Sequence, residues 1–209
     1  MNHIFGKLKM EWLSVVLFAV AAGIYTGIVM AIDPLKDTSF QDIGITFEWW
    51  VVFAVVIVVK CKKNWEAMLK CFVFFLISQP LVYAVEVLCG HLTLDMAMYY
   101  YKTIWLPRTI LTLPGGLIAF YCKKENMLGA VILGLGNTIQ GTMGAYFVAQ
   151  MFNTFPRHLL SAIFCFVSIV VMSLAIQKKA KYRIVAFAIP LVLIACLFIF
   201  LHLTGRVLF

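Results

Sequence analysis

Seven predominantly apolar runs, separated by short polar or lysine-bearing connections, decide most of what this chain can become. They are Glu11–Ile32, Ile43–Val59, Ala67–Cys89, Thr103–Cys122, Met127–Gln150, His158–Gln177 and Ile184–Leu203. A segment that crosses a hydrocarbon core roughly 30 Å thick needs about 20 apolar residues, coiled so that backbone polar groups satisfy one another where water is absent. Six runs meet that length, and the second, at seventeen residues, lies at the lower limit. Water is not the solvent for such a chain: 64% of its residues are apolar and 12% charged, against roughly 45 to 50% and about 25% in soluble domains. The expectation is an all-α, polytopic integral membrane helical bundle with seven transmembrane helices, forming a single transmembrane domain over residues 1–209.

The basic residues orient it. Lys7 and Lys9 precede the first run; Lys60, Lys62, Lys63 and Lys70 follow the second; Lys123 and Lys124 follow the fourth; Lys178, Lys179, Lys181 and Arg183 follow the sixth. With seven spans all twelve fall on one side. The other side holds Lys36, Lys102, Arg157 and Arg206, with Arg108 just inside the membrane. Cytoplasmic loops carry the lysine and arginine excess, so the N-terminus is expected in the cytoplasm and the C-terminus outside, in the cell membrane. Lys7, Lys9 and Ala19-Val20-Ala21 imitate a cleavable signal, but the apolar run continues to Ile32 and reads better as an uncleaved span. Trp12 and Trp65 fall at inner boundaries and Trp49, Trp50 and Trp105 at outer ones, as interfacial indoles should. Tyr99, Tyr100 and Tyr101 extend the outer belt.

The net charge of +8 follows from membrane orientation, so nucleic acid is not an expected partner. Six cysteines show no C-x-x-C pair and no Cys/His spacing of the zinc type. His91, His158 and His202 map to the outer boundary without a spacing that compels a metal. No metal or other cofactor is expected.

Polar residues at helical spacing within spans mark faces turned toward protein rather than lipid. Gln79, Tyr83, Glu86 and Gly90 share a face of the third run; Arg108, Thr112, Gly115 and Ala119 share one of the fourth. In the fifth, Ala130, Gly134, Asn137, Gly141 and Gly144 form a narrow stripe with Gln140 beside it. Small residues let helices approach closely, and glycine also weakens a helix. Glu86 and Arg108 lie at similar depth near the outer ends of consecutive helices, and are expected to pair because a charge in the bilayer is costly. Glu48 reaches a comparable level. Pro80, Pro107 and Pro114 loosen the third and fourth helices around this layer.

The candidate substrate-binding set is therefore Glu48, Gln79, Tyr83, Glu86, Arg108, Thr112, Asn137 and Gln140. The expected function is a small transporter or channel for a solute or ion, with the lipid bilayer as its surroundings. The alternative is a membrane-embedded substrate-binding or accessory subunit, working with a membrane partner or as a homo-oligomer. The first helix supplies a docking stripe for that reading in Ala19, Gly23, Thr26 and Met30. An intramembrane enzyme has the least support, since H-E-x-x-H, G-x-S-x-G and paired intramembrane aspartates are all missing from the sequence.

Overall fold

A computed structural model describes residues 10–35 and 37–203. Lys7, Lys9, Lys36 and Arg206, used above to orient the chain, lie outside the described residues, as does the His202 side chain. The regular structure of the described residues is helical throughout: α1 Trp12–Ala31, α2 Ser39–Ile45, α3 Glu48–Lys60, α4 Asn64–Leu88, α5 Leu94–Tyr100, α6 Leu106–Ala119, α7 Met127–Thr154, α8 Leu159–Ile176 and α9 Ala180–Leu203. A π-helical segment, Tyr101–Trp105, joins α5 to α6, and a 3₁₀ turn, Phe120–Lys123, ends α6. Five helical stretches are long and apolar enough to cross a membrane: Trp12–Ala31, Asn64–Leu88, Leu94–Lys123, Leu159–Ile176 and Ala180–Leu197. Large apolar side chains such as Leu13, Leu88, Phe152 and Leu191 point outward, on a scale that soluble monomers avoid. The chain is compatible with a helical membrane bundle.

The second and fifth runs fall outside those five. The second is broken by a bend at Thr46 and Phe47, and α3 alone, at thirteen residues, spans only about 20 Å. α7 has ample length, 28 residues without a charge, but its glycines, threonines and amides dilute its apolar character.

The chain divides into two compact units. Of the described residues, one contains 10–35, 37–45 and 53–120 and is built around α4, which packs on α1 and α6. Gly23 and Gly27 of α1 lie directly on the α4 backbone: a Cβ on Gly23 would stand 2.6 Å from the Ser78 carbonyl oxygen, and one on Gly27 2.8 Å from that of Val82. The small-residue face of α1 at Gly23 and Gly27 therefore packs on the chain's own fourth helix. Phe18, Phe53 and Phe74 pack edge-to-face or tilted beside this contact. The base of α4 is fixed by Lys70, which is buried, pairs with Glu66 Oε1 at 2.6 Å and donates to the Met10 carbonyl. Glu66 Oε2 in turn accepts from the Lys62 backbone N–H at 2.9 Å, capping the helix start. Lys70 is thus a structural residue and not one of the solvated orienting lysines.

Of the described residues, the other unit contains 46–52 and 121–203, with α7 between α8 and α9. The glycine stripe of α7 is its packing seam. Gly134 faces Ile189, Gly141 faces Ile194, and Gly144 faces Cys165 and Phe166. Phe147, fully buried, packs with Ala162 and Cys165 and stacks on His158.

The tryptophans divide. Trp12 and Trp65 are about half exposed (45% and 48%), whereas Trp50 and Trp105 are buried at 1% and 7%. The latter two are packing residues, because a large indole with protein on every side gains more contact than one at a headgroup.

Candidate functional site

Five of the eight sequence-derived candidates lie in the α4-centred unit, and three in the α7-centred unit. The two groups have different chemistry.

In the first, Gln79, Tyr83 and Glu86 project from one face of α4, whose interior Pro80 removes a backbone donor. Beyond α4 the chain reverses through Gly90, whose φ of +75° suits a residue without Cβ. α5 then starts on Thr93, whose hydroxyl accepts the Met96 N–H at 3.4 Å. The π segment that follows has a local cause. Pro107 has no N–H to give, and its ring crowds the carbonyl four residues back, so the helix widens and the Leu106 N–H reaches five residues back to Tyr101. The extra residue rotates everything after it. Trp105 turns inward, and the Arg108 guanidinium lies over its ring, 5.2 Å from the centroid.

Tyr83 is the hub. Its ring stacks on Tyr100 (6.5 Å between centroids, 16° between planes). Its hydroxyl accepts from the Trp105 indole and is within electrostatic reach of both Glu86 and Arg108. Glu86 is buried, 8% exposed, yet forms no ion pair among the described residues. The expected Glu86–Arg108 ion pair is not formed among the described residues, and the Arg108 guanidinium lies over Trp105. Gln79 is buried with its Nε2 lacking an acceptor among the described residues. Thr112 is half-buried and donates to the Thr109 carbonyl at 2.6 Å, so its hydroxyl is engaged within its own helix.

The sequence reading missed Tyr100 and Trp105 as members of this cluster, having assigned them to the headgroup belt. The available signal was Pro107 five residues after Lys102, which disturbs the helix just where those aromatics lie.

In the second group the amides are structural on their donor side. Asn137 Nδ2 donates to Ser173 Oγ at 2.9 Å and to the Ala186 carbonyl at 3.2 Å, tying α7 to α8 and α9. Gln140 Nε2 donates to the Glu48 backbone carbonyl at 2.7 Å. Glu48 itself is fully buried at the start of α3, next to Trp49, which stacks on Phe164 at 3.7 Å. The acceptor oxygens of Asn137 and Gln140 have no partner among the described residues, and these are what the group offers a ligand. Comparison with known protein families, with curated proteins and with solved structures gives no match for this chain.

Proposed function

We propose that this chain is a small multi-pass transporter or channel of the cell membrane, moving a solute or ion through a polar site that centres on Tyr83, Glu86, Trp105 and Arg108. The observation that carries the reading is Glu86: a buried carboxylate in an apolar helix, beside a Tyr–Trp–Arg cluster, with no ion-pair partner of its own among the described residues. A charge in a span costs roughly 2.5 to 3.5 kcal/mol on insertion scales and marks a pathway or relay more often than a lipid-facing surface. A proton or a small cation visiting Glu86 removes that cost. Arg108, held over Trp105, supplies the opposite charge at the same cluster, and the π turn is a segment type that concentrates at functional sites.

The test is flux across liposomes containing the purified chain. E86Q is expected to lower proton or monovalent-cation flux about tenfold or more, the factor given by losing ~1.4 kcal/mol of site interaction, with the melting profile in detergent unchanged. Equal flux from E86Q and wild type removes Glu86 from the pathway.

Seven spans, with the N-terminus cytoplasmic and the C-terminus outside, remain the topology that best accommodates the lysine clusters. α7 is long enough to cross, and residues 39–60 supply the second crossing through a bend. Single cysteines replacing Lys62 and Lys179 in a background without native cysteines are expected to share one labelling side, and one replacing Asp95 the other. Labelling of Lys62→Cys and Asp95→Cys from the same side would eliminate the seven-span topology.

A further inference from the structure

We propose that the turns before α7 and before α9 form a preorganised binding site for an anionic phospholipid, one that takes its phosphate on lysines and its acyl chains along the adjoining helices. The two turns are distant in sequence but fastened to each other. Gln177 Nε2 donates to the Cys122 carbonyl at 2.6 Å and to the Lys124 carbonyl at 3.3 Å. Glu125 reaches back the other way, accepting the Lys178 N–H at 2.8 Å and the Lys179 N–H at 3.3 Å. Arg183 Nε closes the second turn onto the Gln177 carbonyl at 2.6 Å. The first turn is equally fixed: Asn126 caps α7 by accepting from Gly129, and Gly129 lies against the Lys124 carbonyl with no room for a side chain.

Orientation alone asks only that basic residues lie in loops. It does not ask that two loops be fastened into one surface. Here the fastening gathers Lys124, Lys178, Lys179 and Lys181, all exposed, on a common frame. Lys124 and Lys181 rest over the rings of Tyr121 and Tyr182, 4.4 and 4.8 Å from their centroids. Glu125 is the one acidic residue from position 120 to the C-terminus, and its two oxygens accept the Lys178 and Lys179 backbone N–H groups.

An amphiphile fits better than a soluble polyanion because the lysines border large outward apolar side chains. Leu128 is 54% exposed, Leu174 45% and Ile184 66%. They stand within one or two turns of the cations, where acyl chains begin beneath a phosphate.

Native mass spectrometry of the full chain in detergent micelles, with phosphatidylglycerol or phosphatidylcholine added, tests this. Wild type is expected to retain phosphatidylglycerol in preference to phosphatidylcholine. Each lysine near an anionic surface is worth about fivefold in binding, so K179Q/K181Q is expected to lower phosphatidylglycerol affinity about twenty-fivefold while leaving phosphatidylcholine unchanged. K124Q, about fivefold weaker, decides the matter if the double variant does not fold, and K62Q/K63Q should behave as wild type. Equal retention of the two lipids, or undiminished phosphatidylglycerol binding in the variants, overturns the proposal. So does displacement of phosphatidylglycerol by millimolar inorganic phosphate, which would make this a soluble-anion site.

Discussion

Alanine at Gly23 or Gly27 is expected to destabilise the chain by about 1 to 3 kcal/mol, whereas alanine at Gly136 is expected to stabilise it by up to about 1 kcal/mol. The opposite signs come from the same added methyl group. On Gly27 it would stand 2.6 Å from Val85 Cβ and 2.8 Å from the Val82 carbonyl oxygen. Backbone atoms of a packed helix cannot move aside, so the α1–α4 pair must separate and forfeit the van der Waals contact that holds helices together in lipid. On Gly136 it meets nothing within 4 Å, leaving only the gain in helix propensity. Thermal unfolding in detergent, followed by circular dichroism, reads both signs. A stabilised Gly27→Ala variant would mean that α1 and α4 are not in backbone contact.

The second large effect is expected at Asn137, where aspartate should cost about 3 kcal/mol and alanine only about 0.6 to 1.7 kcal/mol. Asn137 gives both protons of one amide nitrogen to acceptors on two other helices. Alanine loses those bonds and leaves the Ser173 hydroxyl free to turn elsewhere. Aspartate is worse: it is nearly the same shape but places a carboxylate oxygen against the Ala186 carbonyl, acceptor against acceptor, and buries a charge at a position with no exposure. If the aspartate variant unfolds at the alanine variant's temperature, Asn137 is not the clasp of α7, α8 and α9 and its assignment to ligand contact regains ground.

Helical character and facing surfaces were legible in the chain because both depend on spacing within one segment. The α1 stripe at Gly23 and the α7 stripe through Gly134, Gly141 and Gly144 are packing faces, as i, i+4, i+7 patterns of small residues imply. The grouping of Tyr83 and Glu86 follows from the same periodicity on α4. What depends on a neighbouring segment was not legible. A tryptophan beside a charge reads as an interfacial anchor, but how much of its ring packs against protein depends on neighbouring segments, and Trp50 and Trp105 are buried. Arg108 was placed by an unbroken helical count, and the π turn ahead of it shifts that count by one residue. The fourth apolar run begins at Thr103, whereas helix already begins at Leu94, because backbone hydrogen bonding does not require apolar side chains.

Among the described residues the unit built around α7 is discontinuous: Thr46–Val52 belongs to it, and the rest begins at Tyr121. Gln140 and the Glu48 carbonyl it holds are 92 residues apart, which at ribosomal speeds separates their synthesis by roughly 5 to 20 s. A nascent chain ending before α7 already contains every described segment of the α4-centred unit. The Gln140 bond to the Glu48 carbonyl and the stack of Trp49 on Phe164 can form only once α7 and α8 have been made. Biogenesis therefore has an order written into it, with the half made last completing a segment made near the start.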